Sequence, residues 1–508
     1  MYDYKRAKAE ALGRRRRIIY DNDGCDVTYY CDEPTEEALL KPMMVPLLGT
    51  QVDSVSCATM SSGFGQFTHL TKLGSLYTTK EGRYFKNATG DFAKQGTDHL
   101  KIKTDFCRRN NLEVFWQMRM NDTHDGADNS WYGPINLKHN KVKRDHPEFM
   151  VAPPHAKTKC GAWSAVNFAL KEVRDMAYAF VEEVCDSYDV DGINLDFFRH
   201  PVFFKSTSMG EKTSREELDM MTDLVRRISR IMEEESRKQE KAMLLAVRVP
   251  DSVEYCRAIG LDIEKWLEEG YVDILITTSY IHLNYWEYSV DLGRKYGVKV
   301  YPSLDEARIK DPEGRAERER AECYRARAAN ALAAGMDGIY LFNYKSRDVR
   351  AFGPNSEDIY SEIGSLETLE DKNKTYYASY RGLGEIAGGG YPHEEYVNIP
   401  VLNPKKPIDI SYENGCGVDI VISESKPRPD GDFTLSLRLE EKADAEKLEV
   451  RMNGTELKYI CTEGQWVSFS QKRRHMIYGK NKVTISFTNK KAKPNKLLDL
   501  KVEIINEK

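Results

Sequence analysis

The sequence has no C-x-x-C pair and no dense cluster of cysteines. Its ten cysteines are scattered over 508 residues. Several, such as Cys185 and Cys323, fall within helical patterns where small apolar residues would stand. This spacing argues against a disulfide framework or a zinc site, because both need closely spaced or paired cysteines. We expect free thiols, no bound metal and no other cofactor.

Long apolar runs are also missing. No stretch approaches the about 18 apolar residues that a membrane span needs, and the first ten residues lack the apolar core of a signal peptide. The formal net charge is −5, which gives no reason to expect nucleic acid or an anionic membrane as a partner. We expect a cytoplasmic protein, although an exported form whose signal had been removed would leave the same sequence.

No glycine-rich phosphate loop follows the first predicted strand, which removes the usual nucleotide-binding folds. Strand and helix patterns instead alternate from about residue 17 to residue 365. The predicted strands are Arg17–Asp21, Val52–Ala58, Leu112–Asn121, Val190–Asp196, Met243–Val249, Val272–Tyr280, Val298–Ser303 and Met336–Asn343. The main predicted helices are Ala165–Ser187, Ser214–Gln239, Ile263–Glu269 and Ala316–Ala334. This order favours a (β/α)8 TIM barrel, and an open doubly wound sheet less well.

The pattern changes after about residue 366. Residues 367–404 are rich in Gly, Tyr and Lys, whereas residues 405–508 hold seven short alternating segments separated by Gly, Pro, Asn and Asp. Such segments are typical of an antiparallel β-sandwich. We expect a catalytic α/β barrel over 1–366, a connector over 367–404 and an all-β sandwich over 405–508. The sandwich shows no row of aromatic residues, so we expect it to brace the barrel or border the substrate.

Residues 190–201 read V-D-G-I-N-L-D-F-F-R-H-P, the pattern of a buried parallel strand that ends in an acid. Because strand side chains alternate, Gly192, Asn194 and Asp196 share one face. Asp196 then lies at the carboxyl end of the strand, where barrel enzymes carry their chemistry. The structural alternative is an aspartate that caps the loop or pairs with Arg199.

Polar residues recur at the ends of the other predicted strands. Those collected at the barrel mouth are Asp21, Asp23, Arg119, Asn121, Asp122, His124, Arg248, Tyr280 and Asn343. Two long insertions, 59–90 and 123–162, follow strands two and three and are rich in aromatic residues. Loops of this length in a compact domain are usually functional, and we expect them to wall the active-site face.

Acids at the ends of strands one, four and seven suit cleavage of a glycosidic bond. That reaction needs one carboxylate as nucleophile or base and a second carboxyl group as acid. We assign the first role to Asp196 and the second to Asp305 or Glu306. Alternation favours Asp305 as inward-facing, whereas Glu306 reaches further from the loop. The expected substrate contacts are Arg119, Arg199, Arg248 and Tyr280.

The abundance of arginine at the mouth indicates an anionic or sulfated sugar, since guanidinium pairs bidentately with carboxylate and sulfate. The alternative is that these arginines neutralise the barrel's own acids. Two other functions stay open: a non-catalytic carbohydrate-binding barrel, and a polysaccharide lyase. In a lyase, Arg119 or Arg248 would neutralise a uronate while Tyr280 or His124 moves protons. No pattern predicts an oligomeric state.

The strand-four segment resembles the D-G-hydrophobic-x-L-D-[FY]-hydrophobic-R-x-P signature of the family-10-like glycosyl hydrolase barrels. The segments 117–125 (Q-M-R-M-N-D-T-H-D), 261–273 (L-D-I-E-K-W-L-E-E-G-Y-V-D) and 333–343 (A-A-G-M-D-G-I-Y-L-F-N) add to the likeness. The resemblance covers roughly residues 17–345 and implies a glycosidase barrel. It also implies catalytic-site positions for Asp196 and Arg199 and ligand-facing positions for Arg119, Asn121 and Asn343.

The strand-four segment departs from the family-18 chitinase pattern, D-G-hydrophobic-D-hydrophobic-D-x-E. Asp191, Gly192 and Asp196 match it, but Asn194 replaces the middle acid and Phe198 replaces the glutamate. A chitinase that relies on this glutamate is therefore not expected, and any catalytic acid must come from another strand.

Overall fold

The structure is a computed structural model that describes residues 2–60, 62–278, 280–305, 309–344, 359–381, 389–424, 428–442 and 447–506. The chain forms two compact units. The first comprises Met1–Asp305, Asp337–Val349 and Glu385–Val397, and the second comprises Glu306–Met336, Arg350–Gly384 and Asn398–Lys508.

Eight parallel strands form a closed barrel. They are β1 (Ile18–Asn22), β2 (Val52–Ala58), β3 (Glu113–Arg119), β4 (Gly192–Asp196), β5 (Leu244–Val249), β6 (Ile274–Thr277), β7 (Lys299–Leu304) and β8 (Ile339–Leu341). Their order around the barrel is β1-β8-β7-β6-β5-β4-β3-β2. Each predicted strand is present, and the TIM-barrel prediction is confirmed.

Helices fill the connections between the strands. They are α1 (Tyr4–Gly13), α2 (Glu36–Leu40), α3 (Thr89–Lys94), α4 (His99–Arg109), α5 (Gly133–His139), α6 (Lys141–Asp145), α7 (Lys171–Ser187), α8 (Lys205–Ser208), α9 (Arg215–Lys238), α10 (Val253–Ala258), α11 (Ile263–Glu268), α12 (Trp286–Tyr296), α13 (Pro312–Arg318), α14 (Ala321–Ala334), α15 (Ile359–Glu362) and α16 (Leu366–Leu369). Among the described helices, none is both long and apolar enough to cross a membrane.

Two of the predicted helices differ from the structure at their starts. Helix α7 begins at Lys171 rather than at residue 165, because the preceding backbone forms an isolated bridge and turns and is held by Asn121. The N–H of Val166 donates to the Asn121 side-chain oxygen at 3.0 Å. The segment predicted as one helix over 316–334 divides into α13 and α14.

The amino end of the barrel is closed by a buried ion pair. The guanidinium of Arg16 donates two hydrogen bonds, at 2.7 and 2.6 Å, to the Glu113 carboxylate, which also accepts the Ser54 hydroxyl at 2.6 Å. Glu113 is the first residue of β3, so side chains of the same parity, Gln117 and Arg119, also point into the barrel. Gln117 and Arg119 lie nearer the carboxyl end of the barrel, opposite the end at which Glu113 lies.

The second unit contains two antiparallel sheets. Its strands are β9 (Lys374–Tyr377), β10 (Ile408–Ile410), β11 (Cys416–Ile422), β12 (Asp432–Leu439), β13 (Leu448–Met452), β14 (Thr455–Glu456), β15 (Lys458–Glu463), β16 (Trp466–Lys472), β17 (Gly479–Phe487) and β18 (Asn495–Ile504). One sheet has the order β9-β18-β12-β16-β15, with β10 also on β18, and the other has the order β11-β17-β13-β14. The predicted sandwich is confirmed. Strand β9 lies in the stretch expected to be a connector.

The core of this unit is continuous from the sheets to a helix and to β9. It includes Leu435, Leu500 and Ile485 of the sheets together with Ala326 of α14 and Tyr376 of β9, all nearly inaccessible to solvent. The alternation of buried and exposed residues along β11 and β17 explains how the short periodic segments predicted these strands.

All ten cysteines are free thiols. Seven of them are buried, including Cys57 of β2, Cys107 of α4 and Cys323 of α14. Burial raises the pKa of Cys57 to about 12 and holds that of Cys107 well above its usual range. These two thiols are therefore protonated near neutral pH.

Candidate functional site

Two carboxyl groups meet inside the carboxyl end of the barrel. The Asp196 side chain of β4 accepts the Gln117 amide at 3.0 Å and the Arg248 guanidinium at 3.0 Å through the same oxygen, Oδ2. Its other oxygen accepts the N–H of Phe198 at 2.9 Å. The Oδ2 of Asp21, from β1, lies 3.3 Å from the same amide nitrogen and 3.7 Å from the same guanidinium nitrogen. One amide and one guanidinium thus hold both acids.

The two acids of this pair differ in their surroundings. The Asp21 carboxyl also accepts the Tyr340 hydroxyl at 2.8 Å. Burial raises the pKa of Asp21 to about 7; Arg248 opposes the shift, and the nearby acids Asp23 and Asp196 add to it. Asp196 has the closer guanidinium contact, at 3.0 Å. A carboxyl group that is half protonated near neutral pH therefore stands beside one with a direct cationic partner.

A cleft of about 260 Å³ opens at the same end of the barrel. It is lined by Asp23, Gly24, Cys25, Thr28, Tyr29, Ser62, Tyr84, Arg119, His124, Trp131, Tyr132, Asn136 and Arg199. Both long insertions contribute, the first through Ser62 and Tyr84 and the second through the segment 124–136. Asp21 and Asp196 do not line the cleft, and both are almost completely buried.

The cleft contains an acid held by two arginines. The guanidinium groups of Arg119 and Arg199 both contact Oδ1 of Asp23, the second at 3.4 Å. Arg119 also donates to the Asp23 backbone carbonyl at 3.0 Å and to Asp122 Oδ2 at 2.9 Å. Each arginine expected to bind substrate, including Arg248, is thus paired with an acid of the barrel in this structure.

Aromatic rings position two of these arginines. The guanidinium carbon of Arg248 lies 3.7 Å from the centre of the Phe342 ring, directly after β8. That of Arg199 lies 5.3 Å from the same ring and 5.9 Å from the Tyr280 ring. Such cation–π contacts hold a guanidinium plane in place while leaving its edge available for hydrogen bonds.

His124 and Asp122 form a hydrogen-bonded pair at the edge of the cleft. The Nδ1 of His124 lies 2.6 Å from Asp122 Oδ1, which also accepts the His124 N–H at 3.0 Å. Burial works against ionisation of Asp122, but His124 and Arg119 hold its pKa well below the usual range. The carboxylate thus orients the imidazole and leaves Nε2 as the other exchangeable position.

Asp122, His124 and His200 have ligand atoms within 4.8 Å of one another, the spacing of a metal site. In this structure their hydrogen bonds are made with protein groups. The Nδ1 of His200 accepts the Thr123 N–H at 3.2 Å, which leaves the proton on Nε2. Both oxygens of Asp122 already accept N–H donors. Burial and the nearby positive groups hold the pKa of His200 well below its usual value, so this imidazole is neutral.

Other predicted residues are less directly connected to the cleft. The side chain of Asn121 bonds the backbone of Val166 and Val202, so it braces loops. Asp305 follows β7 and is fully buried, and Glu306 lies outside the described residues. Asn343 follows β8 in a left-handed backbone conformation with φ of 54°. The catalytic role of Asp305 or Glu306 and the substrate contacts of Asn121 and Asn343 stay predictions.

Several residues of the site were not identified from the sequence. Strand alternation in the sequence predicts that Gln117 faces inward together with Arg119, but its bridge between two acids was not predicted, and neither was the hydroxyl of Tyr340. Tyr84 and Trp131 of the aromatic wall were anticipated only as part of the long insertions, and Tyr29, which follows β1, was not anticipated. Within this wall the Tyr29 and Tyr84 rings stack at 5.2 Å, and Tyr84 and Trp131 are 5.1 Å apart.

No protein-family model matches this chain, and no curated protein matches it. Among solved structures, the chain is similar to the PgaB (BpsB) glycoside hydrolase domain from Bordetella bronchiseptica. The identity is 10% and the TM-score 0.40, over 65% of this chain and 94% of that one. A glycoside hydrolase family 18 N-acetylglucosaminidase from Paenibacillus barengoltzii has 10% identity and a TM-score of 0.37, over 64% and 94% of the two chains.

A cycloisomaltooligosaccharide glucanotransferase from Paenibacillus sp. has 8% identity and a TM-score of 0.36. The match covers 96% of this chain and 57% of that one, so this chain spans little more than half of its length. These neighbours are named as carbohydrate-active proteins, but likenesses this weak carry no argument about family or function. The family-10-like resemblance gains no support from them. The assignment of the fold as a TIM barrel rests on the observed order of the eight strands.

Proposed function

We propose that this protein is a glycoside hydrolase whose reaction takes place at the carboxyl end of the barrel. The observation that carries the proposal is the pair formed by Asp196 and Asp21. Glycosidic bond cleavage uses two carboxyl groups, one ionised and one protonated. Environments that drive the pKa values of two neighbouring acids apart are the usual way in which proteins create such a pair.

In this proposal Asp196 is the nucleophile or base. Arg248 and the Gln117 amide bind its Oδ2 and hold the carboxyl group in place. Asp21 takes the role of the acid, since burial raises its pKa to about 7. This replaces the strand-seven acids as our first choice, because Asp21 shares the Gln117 amide and the Arg248 guanidinium with Asp196.

The proposal requires side chains above the pair to move when substrate enters. Neither carboxyl group lines the cleft, and Asp196 has no exposed surface. The cleft is nevertheless the place where a sugar would bind, because its Tyr29, Trp131 and Tyr132 rings offer stacking surfaces. Arg119 and Arg199 add hydrogen-bond donors for hydroxyl or anionic groups.

The test begins with release of reducing ends from a panel of neutral, uronate-containing and sulfated oligosaccharides and from aryl glycosides. Asp196→Asn and Asp21→Asn are compared with Asp219→Asn, an exposed acid on α9 whose side chain is 57% accessible. We expect the first two substitutions to lower turnover by about 10²–10⁴-fold and the third to have no effect. Turnover of Asp196→Asn within about tenfold of wild type would remove Asp196 from the mechanism.

A second reaction, β-elimination of a uronate, is favoured by one observation, the His124–Asp122 pair beside two arginines in the cleft. An oriented imidazole can remove a proton next to a carboxylate that arginine has neutralised. The product distinguishes the two reactions: elimination leaves a new double bond that absorbs in the ultraviolet, and hydrolysis does not.

A further inference from the structure

We propose that Arg119 and Arg199 form an anion subsite of the cleft, and that Asp23 occupies it until a carboxylate or sulfate of the substrate takes its place. The inference rests on the proposed function in that it names the substrate class of the same cleft. Both guanidinium groups converge on one oxygen of Asp23, as they would on an oxygen of a bound anion.

Arg119 is held from behind by groups other than the Asp23 side chain. Its Nη1 donates to Asp122 Oδ2 at 2.9 Å, and its Nη2 donates to the backbone carbonyl of Asp23 at 3.0 Å. Departure of the Asp23 carboxylate would leave both of these contacts in place. The residue is only 5% exposed, so its surroundings leave little room for another orientation.

Arg199 is held by aromatic rings. Its guanidinium carbon lies 5.3 Å from the centre of the Phe342 ring and 5.9 Å from that of Tyr280, and the residue is 6% exposed. The contact with Asp23, at 3.4 Å, is longer than the 2.7–2.9 Å of a strong charge-assisted hydrogen bond. The two arginines are therefore preorganised by contacts that do not involve the Asp23 carboxylate.

Asp23 is placed to leave this subsite. Its side chain is 17% exposed and lines the cleft, whereas the other acids that pair with the three arginines, Asp21, Asp122 and Asp196, are buried. Rotation of the side chain towards the cleft would bring its carboxylate into water. An arriving sugar acid would then restore the charge balance around the two guanidinium groups, whereas a neutral sugar would have no means of displacing Asp23.

The subsite suits a carboxylate or sulfate attached to a sugar ring. The same cleft carries the aromatic side chains Tyr29, Trp131 and Tyr132, which can stack on the apolar face of such a ring. The two oxygens of a carboxylate, or two of the oxygens of a sulfate, match the paired N–H donors of a guanidinium group. The pairing of each arginine with a barrel acid is thus compatible with an anionic substrate, because one of these acids is replaceable.

The test measures direct binding of three probes, glucuronate, glucose 6-sulfate and glucose, by calorimetry or ligand-observed NMR. An internal competitor acts at a high effective concentration, so we expect Asp23→Ala to bind glucuronate, glucose 6-sulfate or both about tenfold more tightly than wild type. Glucose should show no gain. Adding Arg199→Met to this variant should reduce affinity for the anions to that for glucose.

The matched control is Asp128→Ala, since Asp128 lies in the second long insertion, 123–162, and bonds His155 and Trp163 but does not line the cleft. This control should behave as wild type. If Asp23→Ala fails to fold, Asp23→Asn provides the same comparison. Equal or weaker binding of both anions after removal of the charge would overturn the inference, as would an equal gain for glucose.

Binding and turnover separate this inference from the proposed function. A wild-type protein that cleaves no glycoside while Asp23→Ala gains affinity for the anions would contradict hydrolysis and retain the anion subsite. Cleavage that depends on Asp196, without any change in anion binding on removal of Asp23, would support hydrolysis and contradict the anion subsite.

Discussion

Asp21 is the residue at which the acid role that we propose and the stability of the fold oppose each other. Burial raises the pKa of Asp21 to about 7 in the folded protein, whereas the pKa of an aspartate in an unfolded chain is about 3.9. Between these values the folded state binds more protons than the unfolded state, so stability falls as the pH rises from about 4 to 7. Such a cost is expected of a carboxyl group kept as an acid.

The prediction is that Asp21→Asn becomes more stable relative to wild type as the pH increases from 5 to 8, because the substitution removes the buried charge. Thermal unfolding of the two proteins at both pH values measures the change. The exposed Asp219→Asn should show no such pH-dependent difference. A stability gain of equal size at pH 5 and pH 8 would contradict the raised pKa.

The sequence predicted individual inward-facing residues well and their pairings poorly. Strand alternation correctly placed Gln117, Arg119 and Asp196 inside the barrel, because the period of a strand is two residues. Alternation carries no information about which residues meet across the barrel. The bridge from Gln117 to both acids depends on closure of the sheet, which brings the distant strands β1 and β4 to the same amide.

Asn121 shows a different limit. Its parity agreed with an inward position, but it lies just past the end of β3, where the ladder no longer controls the side chain. The loops at 166 and 202 need hydrogen-bond partners for their buried backbone groups, and Asn121 supplies them. A polar residue after a strand can therefore serve the loops rather than a ligand, and local sequence does not distinguish the two.

At the scale of single elements, helix α9 shows the clearest agreement between sequence and structure. Ser214 and Glu217 have the S-x-x-E spacing that predicts a capping box. The box is present: the N–H of Glu217 donates to the Ser214 hydroxyl at 3.2 Å, and the Ser214 N–H donates to the Glu217 carboxylate at 2.8 Å. Glu217 also accepts the Ser206 hydroxyl at 2.8 Å. The motif therefore fixes both the helix start and the preceding loop.

We predict that Ser214→Ala lowers the free energy of unfolding by about 0.5–2 kcal/mol, because one helix N–H loses its side-chain acceptor. Ser214→Asp keeps a capping oxygen and should remain close to wild type. Chemical denaturation followed by circular dichroism measures both. A loss of equal size in the two variants would show that the hydroxyl contributes through something other than capping.

At the scale of the whole molecule, the second unit is assembled from separate parts of the chain. Besides residues 398–508 it contains α14 and β9, which belong to earlier segments. Within this unit Arg318 of α13 pairs with Asp499 of β18 at 2.8 Å, both without solvent access, and Asn330 of α14 donates to the Val421 carbonyl at 2.9 Å.

Deletion of residues 405–508 is therefore predicted to lower stability or solubility more than intrinsic chemistry. It would expose the apolar surfaces of Ala326 and Tyr376 and would remove the carboxylate partner of Arg318. Soluble yield, melting temperature and turnover per folded molecule measure the effect. A soluble, well-folded but inactive fragment would show instead that the sandwich completes the site.

The burial of the cysteines gives each unit its own chemical reporter. A thiol reacts with alkylating reagents only as the thiolate. Cys57 and Cys107 in the barrel and Cys323 in the second unit are buried, and burial keeps all three protonated at neutral pH. Their alkylation must therefore wait for local opening. In a urea series, the order in which these peptides gain mass would reveal which unit unfolds first.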